Sequence, residues 1–157
     1  MTKNITICLW FDNQAEEAAN FYTTVFKDSN ILSASRYGKE GFEIHGQKEG
    51  TVMTISFNLN GQSFTALNGG PLFKFNESVS FQVFCKDQEE IDYYWDQLTA
   101  GGGEEGQCGW LKDRFGVSWQ IIPENLPELL SDPSKKGKVT NAFMQMKKLV
   151  ISELLNA

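Results

Sequence analysis

The chain is predicted to be an α+β protein built from two βαβββ modules, which form a curved mixed sheet around a cleft, plus a C-terminal helix. Three observations carry this. A β-branched, aromatic run leads into an amphipathic helix near the start, and a second strand–helix pair follows past the middle. Laid over each other, the halves match: Glu16-Glu17-Ala18 falls on Glu89-Glu90-Ile91, Phe21-Tyr22 on Tyr94-Trp95, Val25 on Leu98 and Ile7 on Ser80. A glycine turn precedes the last strand of each half, at Asn60-Gly61 and at Gly116. Counting four past each glycine equates Thr65 with Gln120. The whole of 1–157 is expected to be one domain, with modules at 3–71 and 76–124 and a helical segment at 125–157.

Taken in order, Ile5 to Phe11 reads as a strand, broken by Asp12-Asn13. Asn13 with Glu16 has capping-box spacing. The helix after it carries Ala15, Ala18, Tyr22, Val25 and Phe26 as one buried stripe. Asp28-Ser29-Asn30 ends it, and Ile31 to Tyr37 is a second strand. Gly38 to Gly50 is polar and glycine-rich, which predicts a hairpin loop. Thr51 to Asn60 alternates, with Val52, Thr54, Ser56 and Asn58 set against Met53, Ile55, Phe57 and Leu59. Gln62 to Leu67 returns. Leu72 to Glu77 is a linker, and Ser78 to Cys85 a strand. Asp87 and Glu90 repeat the capping-box spacing ahead of a helix burying Ile91, Tyr94, Trp95 and Leu98. Ala100 to Gly103 ends that helix. A hairpin over 109–123 follows, its second strand placing Val117, Trp119 and Ile121 on one face and Ser118, Gln120 and Ile122 on the other. After a proline-punctuated stretch, one last helix is expected from Val139 to Leu155.

Composition narrows the function. With 14 Lys and Arg against 20 Asp and Glu, the chain carries a net charge of −6, which argues against a nucleic-acid partner. The lysines crowd toward the C-terminus, as on a solvated helix. No apolar run approaches a membrane span, and no signal-peptide pattern precedes the first strand, so a cytoplasmic protein is expected. Three cysteines without a CxxC spacing suit a reducing compartment.

Certain residues carry a family resemblance: Phe11-Asp12-Asn13-Gln14-Ala15-Glu16-Glu17-Ala18 with Phe21-Tyr22, then Leu67-Asn68-Gly69-Gly70-Pro71. Glu90, Asp92, Tyr93, Tyr94, Trp95 and the run from Gly109-Trp110-Leu111-Lys112-Asp113 through Gly116 to Trp119-Gln120 complete the set. Over roughly residues 4–150 the chain resembles the vicinal oxygen chelate superfamily, which includes glyoxalase I, bleomycin-resistance proteins and extradiol dioxygenases. The finer resemblance is to its PhnB-like branch, called 3-demethylubiquinone-9 3-methyltransferase-like. The resemblance implies four inward positions that hold a divalent metal in the superfamily's metalloenzymes, here Ile7 (or Ile5), Thr65, Ser80 and Gln120. Isoleucine cannot ligate, lone hydroxyls are poor ligands, and one neutral amide does not hold a cation. No metal and no cofactor are therefore expected. Methyl transfer is disfavoured as well, because no glycine-rich strand-to-helix turn is present and Gly101-Gly102-Gly103 follows a helix.

The remaining single residues read plainly. His45, the lone histidine, is a loop residue. Cys108 has no histidine nearby in sequence, and Asp113-Arg114 is a turn pair. The paired glutamates complement helix dipoles. Trp95 and Trp119 are core, Trp10 shares a face with Thr6 and Cys8 under the first helix, and Trp110 walls the cleft. The expected ligand cleft is thus Ile7, Thr65, Ser80, Trp110 and Gln120. It suits a small, largely apolar molecule bound by a homodimer. The alternative reading is a metal-dependent lyase/isomerase or dioxygenase, and whether the chain is an enzyme is left open.

Overall fold

The computed structural model describes residues 5–157, so the module start expected at residue 3 lies outside the described residues. The chain forms two compact units that divide between Lys74 and Phe75, inside the expected linker. Each is a four-stranded mixed sheet with a helix on one face.

The first unit runs β1 (Ile7–Phe11), α1 (Ala15–Val25), β2 (Asn30–Arg36), a short α2 (Phe42–His45) within the expected loop, β3 (Val52–Leu59) and β4 (Gln62–Asn68). The sheet order is β1-β4-β3-β2, with β1 parallel to β4 and the other pairs antiparallel. Helix α1 buries Ala15, Ala18, Ala19, Tyr22 and Val25. The Tyr22 ring stacks on Phe57 at 6.3 Å, and Phe57 on Phe64 at 5.3 Å, which fixes the covered face. Pairing of Ile7 with Phe64 and of Cys8 with Thr65 then sorts β1. Leu9 and Phe11 go under α1, whereas Cys8 and Trp10 lie on the open face. This corrects the expectation that Trp10 sits beneath the first helix. Its indole instead covers Gly69 so closely that an added Cβ would collide with the ring, and its Nε1 donates to the Gly70 carbonyl at 2.9 Å.

Two local expectations also change. Asn13 does not cap α1. The cap comes from across the sheet, where Asn68 Oδ1 accepts from Ala15 N at 2.8 Å while its Nδ2 donates to the Val52 carbonyl at 3.0 Å. The alternation of β3 breaks at Met53, because the pairing steps from Ser35–Thr54 to Arg36–Val52. That bulge turns Val52 into the core. The hairpin at Asn60-Gly61 forms as expected, both residues at positive φ (47° and 85°).

The second unit runs β5 (Ser80–Cys85), α3 (Gln88–Thr99), β6 (Glu104–Glu105), β7 (Trp110–Lys112) and β8 (Ser118–Pro123), with sheet order β5-β8-β7-β6. Asp87 caps α3 by accepting from Glu90 N at 2.9 Å, and the Glu90 carboxylate takes Lys86 N at 3.0 Å. Ile91, Trp95 and Leu98 are buried, while Tyr94 is only half-buried. Under α3 lie Leu111, Trp119 and Ile121.

The single C-terminal helix expected over Val139–Leu155 is instead two, α5 (Lys136–Gln145) and α6 (Ile151–Leu155), and a short α4 (Leu126–Ser131) forms in the proline-punctuated stretch before them. The break falls at Met146 to Val150 because outside donors take the backbone carbonyls there. Met146 O accepts from Cys108 N at 2.7 Å, Lys147 O from Gly109 N at 2.8 Å and Leu149 O from the Gln88 amide at 3.1 Å. The Gln88 Oε1 in turn receives Ile151 N at 2.9 Å. A continuous helix would bond those carbonyls to its own N–H groups. The predicted stripe still closes one cluster, in which Val139, Met146, Leu149 and Leu154 pack with Ile122, Leu126 and Leu129.

Candidate functional site

The hairpin β7–β8 positions the polar side chains of the second unit, and Asp113 holds that hairpin. It is 3% exposed, and its Oδ1 accepts from Phe115 N at 2.9 Å and Val117 N at 3.1 Å. Its Oδ2 accepts from Trp119 Nε1 at 2.9 Å. Gly116, at φ 87°, makes the turn possible. With Trp119 anchored beneath α3, the strand period of two sends Ser118 and Gln120 to the opposite face, where Ser118 is buried and Gln120 half-buried.

Register then assembles that face. Ser80 pairs with Ser118 and Gln82 with Gln120 across β5–β8, and Trp110 pairs with Gln120 and Lys112 with Ser118 across β7–β8. Gln120 Nε2 donates to Ser80 Oγ at 2.8 Å, and Gln82 Nε2 donates to Gln120 Oε1 at 3.3 Å. The three form a directional chain that ends in the Ser80 hydroxyl hydrogen and the Gln82 carbonyl oxygen. Beside it opens a cavity of about 180 Å³ lined by Glu77, Glu104, Glu105, Gly106, Trp110, Leu111, Lys112 and Ser118. Lys112 and Glu77 form an ion pair across its mouth. That pairing holds the Lys112 ammonium above its usual pKa and the Glu77 carboxyl below its own.

Of the five residues expected to line a cleft, Ser80, Trp110 and Gln120 share this face. The other two belong to the first unit, where Ile7 lies on the α1-covered face with Phe64 and Thr65 on the open face with Cys8. Ile7 and Thr65 therefore point to opposite sides of one sheet. The repeat shift that matches the helices is one residue out for the strands. Thr65 and Gln120 do share an environment, each on the open face of its sheet. Gln82, Lys112 and Glu77 were missed. The alternation of β8 pointed to Ser118, but nothing local marks Gln82 or Glu77, which register and chain return bring in.

The donors do not fit a divalent metal. The Gln120 amide is engaged by Ser80 and Gln82, and Thr65 and Ser80 offer neutral hydroxyls. Among the described residues no three His, Cys, Asp or Glu side chains come together as a metal would need. His45 Nδ1 accepts from Gln47 N at 2.9 Å, which leaves Nε2 as the donor to the Glu40 carbonyl at 3.0 Å. Both ring nitrogens are thus occupied in their own loop. A nucleotide-type cofactor is bound at a glycine-rich strand-to-helix turn, and no glycine stands in the turns before α1 or α3, where Asn68 and Asp87 each take one helix-start N–H, Ala15 N and Glu90 N. Gly101 to Gly103 closes α3, with Gly103 N bonded to Thr99 O at 3.0 Å.

Comparison with known proteins agrees with this architecture. The family model "3-demethylubiquinone-9 3-methyltransferase" matches residues 3–122, so α4 to α6 lie beyond it. A PhnB protein from Bacillus cereus, named for the same methyltransferase, is 38% identical with a TM-score of 0.67, over 77% of this chain and 99% of that one. Protein PA1353 from Pseudomonas aeruginosa shares the fold at 17% identity and TM-score 0.60, over 78% of this chain and 98% of that one. So does the fosfomycin resistance protein FosX from Listeria monocytogenes, solved with Mn(II) and sulfate, at 16% identity and TM-score 0.53, over 83% and 96%. No curated protein matches the chain in sequence. With both βαβββ units and a family match over most of its length, the chain belongs to the PhnB-like 3-demethylubiquinone-9 3-methyltransferase family of the vicinal oxygen chelate superfamily.

Proposed function

We propose that this protein binds a small, largely apolar molecule without a catalytic metal, on the open face of the second sheet. The observation that carries the reading is the Gln82–Gln120–Ser80 chain beside Trp110. Its members are neutral, so they cost far less to desolvate than charged groups and orient a ligand by one or two hydrogen bonds. Trp110 supplies flat apolar area at low entropy cost. The exposed Phe84, two positions along β5 from Gln82, extends the apolar part of the face.

A panel of neutral aromatic and antibiotic-like compounds, read by thermal shift, tests this. The expected result is a set of hits lost in Gln120→Leu. Hits that survive Gln120→Leu unchanged overturn the placement. Turnover that appears with added Mn²⁺ or Ni²⁺ and disappears with chelator overturns the metal-free reading. The same proposal has the chain acting as a homodimer. Edge strand β2 supports this, since it leaves Ile31 and Leu32 exposed beside an unpaired backbone edge. A monomer at every concentration in sedimentation removes that part.

A further inference from the structure

We infer that the cavity between β6, β7 and the Glu77 segment, which adjoins the face proposed above and shares Trp110 with it, is a binding site for a small cationic amine. Ser118 is the starting observation. It is 2% exposed, and its Oγ has no hydrogen-bond partner among the described residues. A buried, unpaired hydroxyl costs free energy unless something completes it. Ser118 lies opposite Lys112 in register, so its side chain leaves the sheet on the side where the cavity opens.

The charges decide what would complete it. Two carboxylates, Glu77 and Glu104, face one ammonium, Lys112, on the cavity side of the sheet, while Glu105, paired with Leu111 beneath α3, turns its carboxylate to the other side. Glu77 is taken up by Lys112. Glu105 accepts from Trp95 Nε1 at 3.0 Å and meets Lys147 at 3.5 Å. Glu104 stands across from Lys112 in the β6–β7 pairing and shares its field with Glu77, yet no described side chain hydrogen-bonds to it. The site is therefore one positive charge short, at Glu104. Trp110 offers an indole wall, which attracts a cation and covers an apolar body. About 180 Å³ holds one ring or a short chain, no more.

A Ser–Lys catalytic pair is the competing reading, and the geometry opposes it. Lys112 is ion-paired with Glu77, which keeps its ammonium protonated, so it cannot serve as a base toward Ser118. What remains is recognition: the amine nitrogen at Glu104, its body on Trp110, and the Ser118 hydroxyl completed by the ligand.

The site adjoins the Gln82–Gln120–Ser80 group, through the Ser118–Ser80 and Trp110–Gln120 pairs, and the test separates the two by charge. Benzylamine, benzyl alcohol and benzoate differ mainly in charge, and each is titrated into the full chain by isothermal calorimetry. The expected order is benzylamine first, benzyl alcohol roughly fivefold weaker and benzoate weaker still, with benzylamine binding weakening in added salt. Glu104→Gln is expected to weaken benzylamine by roughly fivefold while leaving the neutral-panel hits in place. Ser118→Ala, checked for an unchanged melting profile, is expected to weaken benzylamine as well. Equal binding of the three probes, or benzylamine binding indifferent to Glu104→Gln, overturns the inference. Loss of the neutral hits in Gln120→Leu bears on the other proposal alone.

Discussion

Replacing Asp113 by asparagine changes one atom and removes a hydrogen-bond pattern that asparagine cannot reproduce. The native carboxylate accepts on both oxygens, two backbone N–H groups on Oδ1 and the Trp119 indole on Oδ2. Asparagine has one oxygen. Whichever way its amide is turned, an NH₂ faces a donor, either the indole or the pair of backbone groups. The better orientation keeps the backbone bonds and loses the indole bond at a site 3% exposed. A lost charge-assisted bond with an unpaired buried donor costs about 2–4 kcal/mol. Asp113→Ala, which strands all three donors, costs about 3–6 kcal/mol. Urea unfolding followed by circular dichroism reads both. The decisive arm adds Trp119→Phe, which deletes the indole N–H. In that background Asp113→Asn should cost about 1–2 kcal/mol less than alone. Additive effects, or an Asp113→Asn loss under about 0.5 kcal/mol, refute the reasoning.

Four other outcomes follow from the same contacts. Asn68→Ala should lower stability by about 2–5 kcal/mol in urea unfolding, because Ala15 N and Val52 O lose their partner together. Gly109→Ala should destabilise by about 1–3 kcal/mol and loosen Met146 to Val150, seen as faster amide exchange there. Gly109 sits at φ 81°, and a Cβ would lie 2.8 Å from the Ile121 carbonyl. Asp92 is hydrogen-bonded by Lys148, at 2.8 Å, and by Gln88, which holds its pKa below the usual value. Its contribution to stability is therefore full above the ordinary carboxylate pKa of about 3.9 and fades as pH falls through the lowered one. Lys148→Ala should move the NMR-measured Asp92 pKa upward. Burial pushes the Cys85 thiol up to about 12, so alkylation at pH 8 should label the exposed Cys8 and leave Cys85 until the chain unfolds.

Much of the fold was legible because its signals are local. Helix α3, with Asp87 as its cap and Ile91, Trp95 and Leu98 as its stripe, needs only neighbours three and four residues away. The turn at Asn60-Gly61 and the two faces of β8 are likewise written within a few residues. The candidate site was half legible for the same reason. Ser118 and Gln120 follow from alternation once Trp119 is taken as core. Glu77 and Gln82 do not, since nothing in their own segments shows what lies beside them.

What the sequence determined alone was the order of strands and helices in the two modules and their duplication, since these depend on residue type and short-range period. Tertiary structure decided the rest. Parallel pairing of β1 with β4 chose the face for Trp10 and separated Ile7 from Thr65, because a one-residue change of register exchanges the two sides of a strand. Asn68, far along the chain, took the capping role expected of Asn13. Backbone donors at Cys108 and Gly109 divided the last helix by claiming the carbonyls it would have used itself. Each of these outcomes turns on partners distant in sequence, whose arrival is decided by packing and not by local preference.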